Sequence, residues 1–148
     1  MTDPNLTRAA RALALSARAL ERAAGSRDLT LAQYRVLALV TAGDERSSLL
    51  ADRLAVAKPT ITAVVDGLVE RGLIERTSVT GDRRSIRISL TKPGVQALRA
   101  VEKEMSETLA RILSEADDPA ALVAALGELD DALAARSAAR LREARVKA

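Results

Sequence analysis

Lys58-Pro59-Thr60-Ile61-Thr62-Ala63 and, further on, Arg83-Arg84 are the positions where this chain has the side chains to do chemistry. That chemistry is anion binding. Pro59 suits the first helical position, where its missing N–H costs nothing. Lys58, as the residue before a proline, is expected just outside that helix in extended geometry. The unpaired N–H groups and positive dipole end of such a helix favour phosphate. No acid follows until Asp66, and Thr60, Thr62 and Ala63 are small. A slim, uncharged helix end beside a lysine can approach a polyanion closely.

Other chemistries are narrowed by composition. The chain has no cysteine, which removes disulfides, thiolate metal sites and cysteine nucleophiles. It has no histidine either, the commonest general base and metal ligand. An enzyme would have to run on carboxylates, Lys, Ser or Tyr34, and the acids fall on exposed helix stripes. No enzymatic activity, metal or cofactor is therefore expected. Tyr34 is the sole aromatic residue, and it reads as a core residue with a bonded hydroxyl. Single-strand and RNA modules stack bases on aromatic platforms, so duplex recognition is the better match. A net charge of +3 permits a nucleic-acid partner without demanding one. No apolar run has the length of a membrane span and no signal layout precedes the first helix, so a cytoplasmic location is expected.

The elements that position these residues follow from periodicity. Pro4 opens a segment in which Leu6, Ala10, Leu13, Ala17, Leu20 and Ala24 recur at steps of four and three, and Gly25 ends it. Such a helix either lies on its own domain or is shared with a second subunit. Thr30-Leu31-Ala32-Gln33 has the form of a capping box. The helix behind it is expected to bury Tyr34, Leu37, Ala38 and Val40 or Thr41. Gly43-Asp44-Glu45 reads as a loop. Ser47 or Ser48 caps the next helix, with Leu49, Leu50 and Leu54 inward, Ala51 a further candidate, and Asp52 in its first turn. Ala55-Val56-Ala57 is a tight connection into the Pro59 helix, whose Ile61, Val64, Val65, Leu68 and Val69 share one face. Gly72 supplies a left-handed stop. A strand-like run from Leu73 to Ser78, a turn at Thr80-Gly81-Asp82 and alternation from Ser85 to Leu90 make a β-hairpin. Its tip carries Asp82-Arg83-Arg84. Thr91 starts a long helix to about Glu115, with Val95, Leu98, Val101, Met105, Leu109 and Ile112 as its stripe. Asp117-Asp118-Pro119 breaks it, and Leu122, Leu126, Leu129 and Leu133 mark a last helix with a basic tail.

The expected fold is mainly α with a small β-hairpin wing: a winged helix-turn-helix at 30–91 and a helical dimerisation region from 5–25 and 92–146. The terminal stripes have no internal partner large enough to bury them. Leu6, Leu13, Leu126, Leu129 and Leu133 are therefore expected at a dimer interface.

In that order of elements the chain resembles the multiple-antibiotic-resistance regulators, the MarR-type winged-helix repressors. The resemblance is carried by Leu31 to Leu37, Leu50-Ala51-Asp52-Arg53-Leu54, Lys58 to Thr62, Val65 to Leu68, Glu70 to Arg76, and Asp82-Arg83-Arg84 through Thr91. It implies a homodimer on a near-palindromic operator in double-stranded DNA. Lys58, Pro59, Thr60, Thr62 and Ala63 would lie in the major groove, and Arg83 and Arg84 at the wing in the minor groove. Ser47 and Ser48 would reach backbone phosphates. Asp66 would pair with Arg84 and fix its aim. Relatives often carry arginine where this chain has Ala63 and Gly67, which shifts affinity towards the wing and shape readout.

The functional expectation is a sequence-specific DNA-binding transcriptional regulator: a homodimeric repressor, released by a small lipophilic effector. The alternative is a winged-helix architectural or protein-binding module without operator recognition.

Overall fold

Prolines and small polar caps set the helix boundaries. The computed structural model describes residues 3–41, 45–46, 50–51, 54, 56–79 and 82–146, and the backbone alone at 45–46, 78–79, 82–85, 141 and 144–146. Helix α1 (Pro4–Gly25) is capped by Asp3, whose carboxylate accepts from Asn5 N–H at 2.8 Å. Helix α2 (Leu31–Thr41) opens on the expected capping box. Gln33 N–H donates to Thr30 Oγ1 at 3.1 Å, and Thr30 N–H donates to Gln33 Oε1 at 3.0 Å. Leu50, Ala51 and Leu54 are helical and face inward, and Leu49 lies outside the described residues. Helix α3 (Lys58–Glu70) starts one residue earlier than the proline rule suggests. Ala57, with ψ of 140°, is the extended residue, and Lys58 is already helical. Pro59 in the second position still needs no N–H partner, so the shift costs no hydrogen bond. Helix α4 (Lys92–Leu113) repeats the Lys-Pro start behind Thr91, and α5 (Pro119–Val146) is capped by Asp118, which accepts from Ala121 N–H.

Among the described residues, two helices end in left-handed turns. Gly72 has φ of +66°, with Leu73 N–H bonded to Leu68 O and Gly72 N–H to Val69 O, a Schellman closure of α3. At the end of α1 the left-handed residue is Asp28 (φ of 60°), three positions beyond the expected terminator Gly25. There Leu29 N–H bonds Ala24 O and Asp28 N–H bonds Gly25 O. A short polar side chain tolerates this region where bulkier ones do not. Asp28→Val should therefore lower stability by about 1–2 kcal/mol, read as a lower urea midpoint at unchanged slope.

The wing is larger than the sequence suggests. Strands β1 (Glu45–Arg46), β2 (Ile74–Val79) and β3 (Asp82–Leu90) form an antiparallel sheet in the order β1-β3-β2. Glu45, expected in a loop, pairs with Ile88, and Arg46 pairs with Arg87. A strand of two residues has no periodicity to read; it exists because β3 offers an open edge. Strand β3 begins at Asp82 rather than Ser85, since Val79 and Asp82 already pair after a register shift at Ser78/Val79. Ile88 is fully buried while Ile86, nearer the tip, is exposed.

The core gathers Leu29, Val36, Leu37, Leu50, Val65, Leu68, Ile74, Ile88 and Val101 from α1 to α4 and the sheet. Helix α2 buries Val36 as well as the expected Leu37 and Val40, leaves Tyr34 and Ala38 partly covered, and exposes Thr41. It packs against α1 and α4 on one side and α3 and β3 on the other, so its buried arc is wider than one stripe. Helix α1 lies along α4 yet buries only Ala23 and Ala24, and no described residue of α5 is buried.

Candidate nucleic-acid interface

The N-terminal half of α3 is the exposed part of the helix. Lys58, Pro59, Thr60, Thr62 and Ala63 all face solvent, while Ile61, Val65 and Leu68 hold the opposite side in the core. Ala57 at the N-cap offers no side-chain hydrogen bond. The first N–H groups are therefore left for an outside acceptor, with the positive end of the helix dipole behind them. Thr62 Oγ1 donates back to Lys58 O at 3.0 Å. Its proton is thus committed, and it presents lone pairs and a methyl group outward. That combination can accept from an exocyclic amine or contact a thymine methyl.

The sheet stands beside this face. Arg83 and Arg84 follow Asp82 at the start of β3, and their side chains lie outside the described residues. Ser47 and Ser48 lie outside them altogether. Asp66 was expected to hold Arg84. Its described partner is Arg76 of β2, whose Nη2 donates to Asp66 Oδ1 at 2.5 Å. Arg76 was not singled out in the sequence, although a signal was present. It stands two residues after buried Ile74 and opposite buried Ile88, so it shares their helix-facing side. An open cleft of about 380 Å³ separates α3 from the sheet here, with Ile61, Val65 and Ile86 among its walls.

The C-terminal end of α3 is tied down elsewhere. Arg71 pairs with Asp28 at 3.3 Å, and the preceding Arg27 pairs with Glu104 of α4 at 2.9 Å. Thr91 Oγ1 donates towards Gly72 O (2.6 Å) and Leu73 O (3.1 Å) and accepts from Gly94 N–H. These links join the end of α3 to the start of α4.

A crevice of about 460 Å³ opens between α1, α2 and α4, lined by Leu20, Tyr34, Glu102, Met105, Ser106 and Leu109. Burial, then the charges of Glu102 and Asp130, push the Tyr34 phenol above its ordinary value. It stays a neutral hydroxyl at physiological pH. Of the leucines expected at a dimer interface, Leu6 is 65% exposed, Leu13 46%, Leu129 38% and Leu133 56%, and Leu126 is half-buried. Among the described residues, no group of acids could hold a metal ion, and no helix is long and apolar enough to cross a membrane.

Comparison with known proteins agrees with this geometry. The MarR family model matches residues 27–85, from the turn after α1 into the start of β3. YusO from Bacillus subtilis is similar over 86% of this chain and 92% of its own, at 29% identity and a TM-score of 0.66. Wild-type MarR from E. coli shares the fold over 90% of this chain and 98% of its own (21% identity, TM-score 0.74). CouR from Rhodococcus jostii RHA1, solved bound to p-coumaroyl-CoA, shares it over 91% and 92% (23% identity, TM-score 0.72). The MarR family model thus matches the helix-and-wing segment, and the MarR-type winged-helix fold extends over most of the chain's length.

Proposed function

We propose that the protein is a homodimeric repressor that binds a near-palindromic operator and leaves it when a small lipophilic effector binds. The observation that carries the reading is the pairing of two surfaces in one chain. One is the acid-free, uncapped N-terminal half of α3 beside a basic wing. The other is the set of solvent-facing leucines on α1 and α5, which a single copy leaves uncovered. Residues 30–91 are the DNA-binding unit, and 5–25 with 92–146 hold two copies together. Lys58, Thr60 and Thr62 meet base edges or nearby phosphates, Pro59 and Ala63 keep the approach close, and Ser47 and Ser48 contact the backbone. Arg83 and Arg84 serve the wing. A two-fold dimer places its half-sites about one helical turn apart.

The effector site is the crevice at Tyr34 and Glu102, which adjoins α1 and α4 of the dimerisation region as well as α2 of the DNA-binding unit. CouR holds an acyl thioester. Here one wall carries a carboxylate and the nearby phenol is neutral, which suits an uncharged or cationic lipophile better than an acid. Effector binding shifts the separation of the two recognition helices between pre-existing states.

Selection of bound fragments from random duplex DNA tests the whole reading. An inverted repeat enriched ~10³-fold or more over random duplex supports a repressor. A ratio near one points to an architectural binder instead. On the selected site, Arg84→Ala should weaken binding and reduce the slope of log affinity against log salt by about one. An unchanged slope would remove Arg84 from the interface.

A further inference from the structure

We propose that Arg76 is a positioning residue for DNA binding, acting through Asp66 to neutralise the carboxylate that stands on the reading face of α3. This rests on the DNA-binding reading above and adds to it a role for a residue of β2.

Lys58, Thr62 and Asp66 are four residues apart and so form one stripe of the helix. The first two offer a cation and a hydroxyl to a polyanion, and the third opposes them. Arg76 reaches across from β2 and pairs with Asp66 at the rim of the cleft. Because the cleft is open, the pair spans a gap that side-chain packing does not fill. Both partners are substantially exposed, 36% for Arg76 and 48% for Asp66. A pair of that kind contributes little to folding stability. Its effect falls instead on what approaches the surface. An unmasked carboxylate about 6 Å from a phosphate, at an effective dielectric between that of protein and water, weakens binding about tenfold.

The test is a double-mutant cycle on the duplex the protein itself selects, read by fluorescence anisotropy over a salt series. Arg76→Ala should bind about tenfold more weakly with an unchanged salt slope, since no phosphate contact is lost. Asp66→Asn should cost less than Arg76→Ala, since it removes the carboxylate itself. The double variant should match Asp66→Asn, because without the carboxylate there is nothing to mask. Arg76→Lys should keep most of the affinity, and urea midpoints should barely move across the set. Arg76→Gln serves as the second removal of charge should the alanine variant misfold. A loss that persists undiminished in the Asp66→Asn background, with the slope reduced by about one, would make Arg76 a direct DNA contact and overturn the proposal. Parent-like binding by Arg76→Ala would overturn it too. A parent protein with no affinity for duplex DNA would fail at the first titration, which separates loss of the DNA reading from loss of this one.

Discussion

Gly94→Ala should destabilise the fold by at least about 3 kcal/mol, although alanine is the better helix former by about 1 kcal/mol. A Cβ at position 94 would lie 1.9 Å from Leu73 O, 2.9 Å from Leu73 C and 3.0 Å from Leu90 Cδ2. The oxygen cannot swing away. It belongs to the backbone between α3 and β2, and it accepts from both Thr91 N–H and Thr91 Oγ1. Relief would require α4 to move off the sheet, which breaks the joint between the helix-and-wing unit and the long helix. In a domain stabilised by roughly 5–15 kcal/mol this is a large fraction of the total. Gly67→Ala is the matched comparison, because nothing lies within 4 Å of a Cβ there. It should raise stability by about 0.5–1 kcal/mol. Urea denaturation of the two variants beside the parent measures both. A Gly94→Ala protein as stable as the parent would refute the close approach of α4 to Leu73.

Leu133→Asp should produce a folded single subunit that binds a two-half-site duplex ~10²–10⁴-fold more weakly, the range expected when two linked binding events become one. Leu133 is 56% exposed in the single chain, so the substitution removes no core contact and leaves the fold intact. In a two-fold dimer each copy would instead bring a carboxylate into an apolar seam, facing a surface that gives it no partner. Sedimentation velocity and anisotropy on the same samples read mass and affinity together. The parent's thermal midpoint should also rise with protein concentration, and that of the variant should not. If Leu133→Asp sediments as the parent does, or holds the full site as tightly, α5 is not the clasp.

How much could be read in advance varied with how local each determinant was. The capping box at Thr30 and Gln33, the stop at Gly72, the starts at Pro4, Thr91 and Pro119, and the burial of Ile61, Val65 and Leu68 rest on contacts within a few residues. All of these are present in the structure. The same holds for the exposed half of α3, because its polar and apolar residues separate at the helical period. The left-handed turn at Asp28 has no such local mark, because an aspartate carries no signature of that conformation apart from the turn that requires it.

Periodicity, caps and turn residues in the sequence determined the helices, the hairpin and the side of α3 that meets solvent, since each depends on neighbours along the chain. Folding in three dimensions decided the rest: the third strand at Glu45–Arg46, the described partner of Asp66, and the glycine that α4 needs against Leu73. These pair residues far apart in the chain. Their geometry exists only after the backbone has closed around the core, and no local pattern fixes which edge, charge or carbonyl will come within reach.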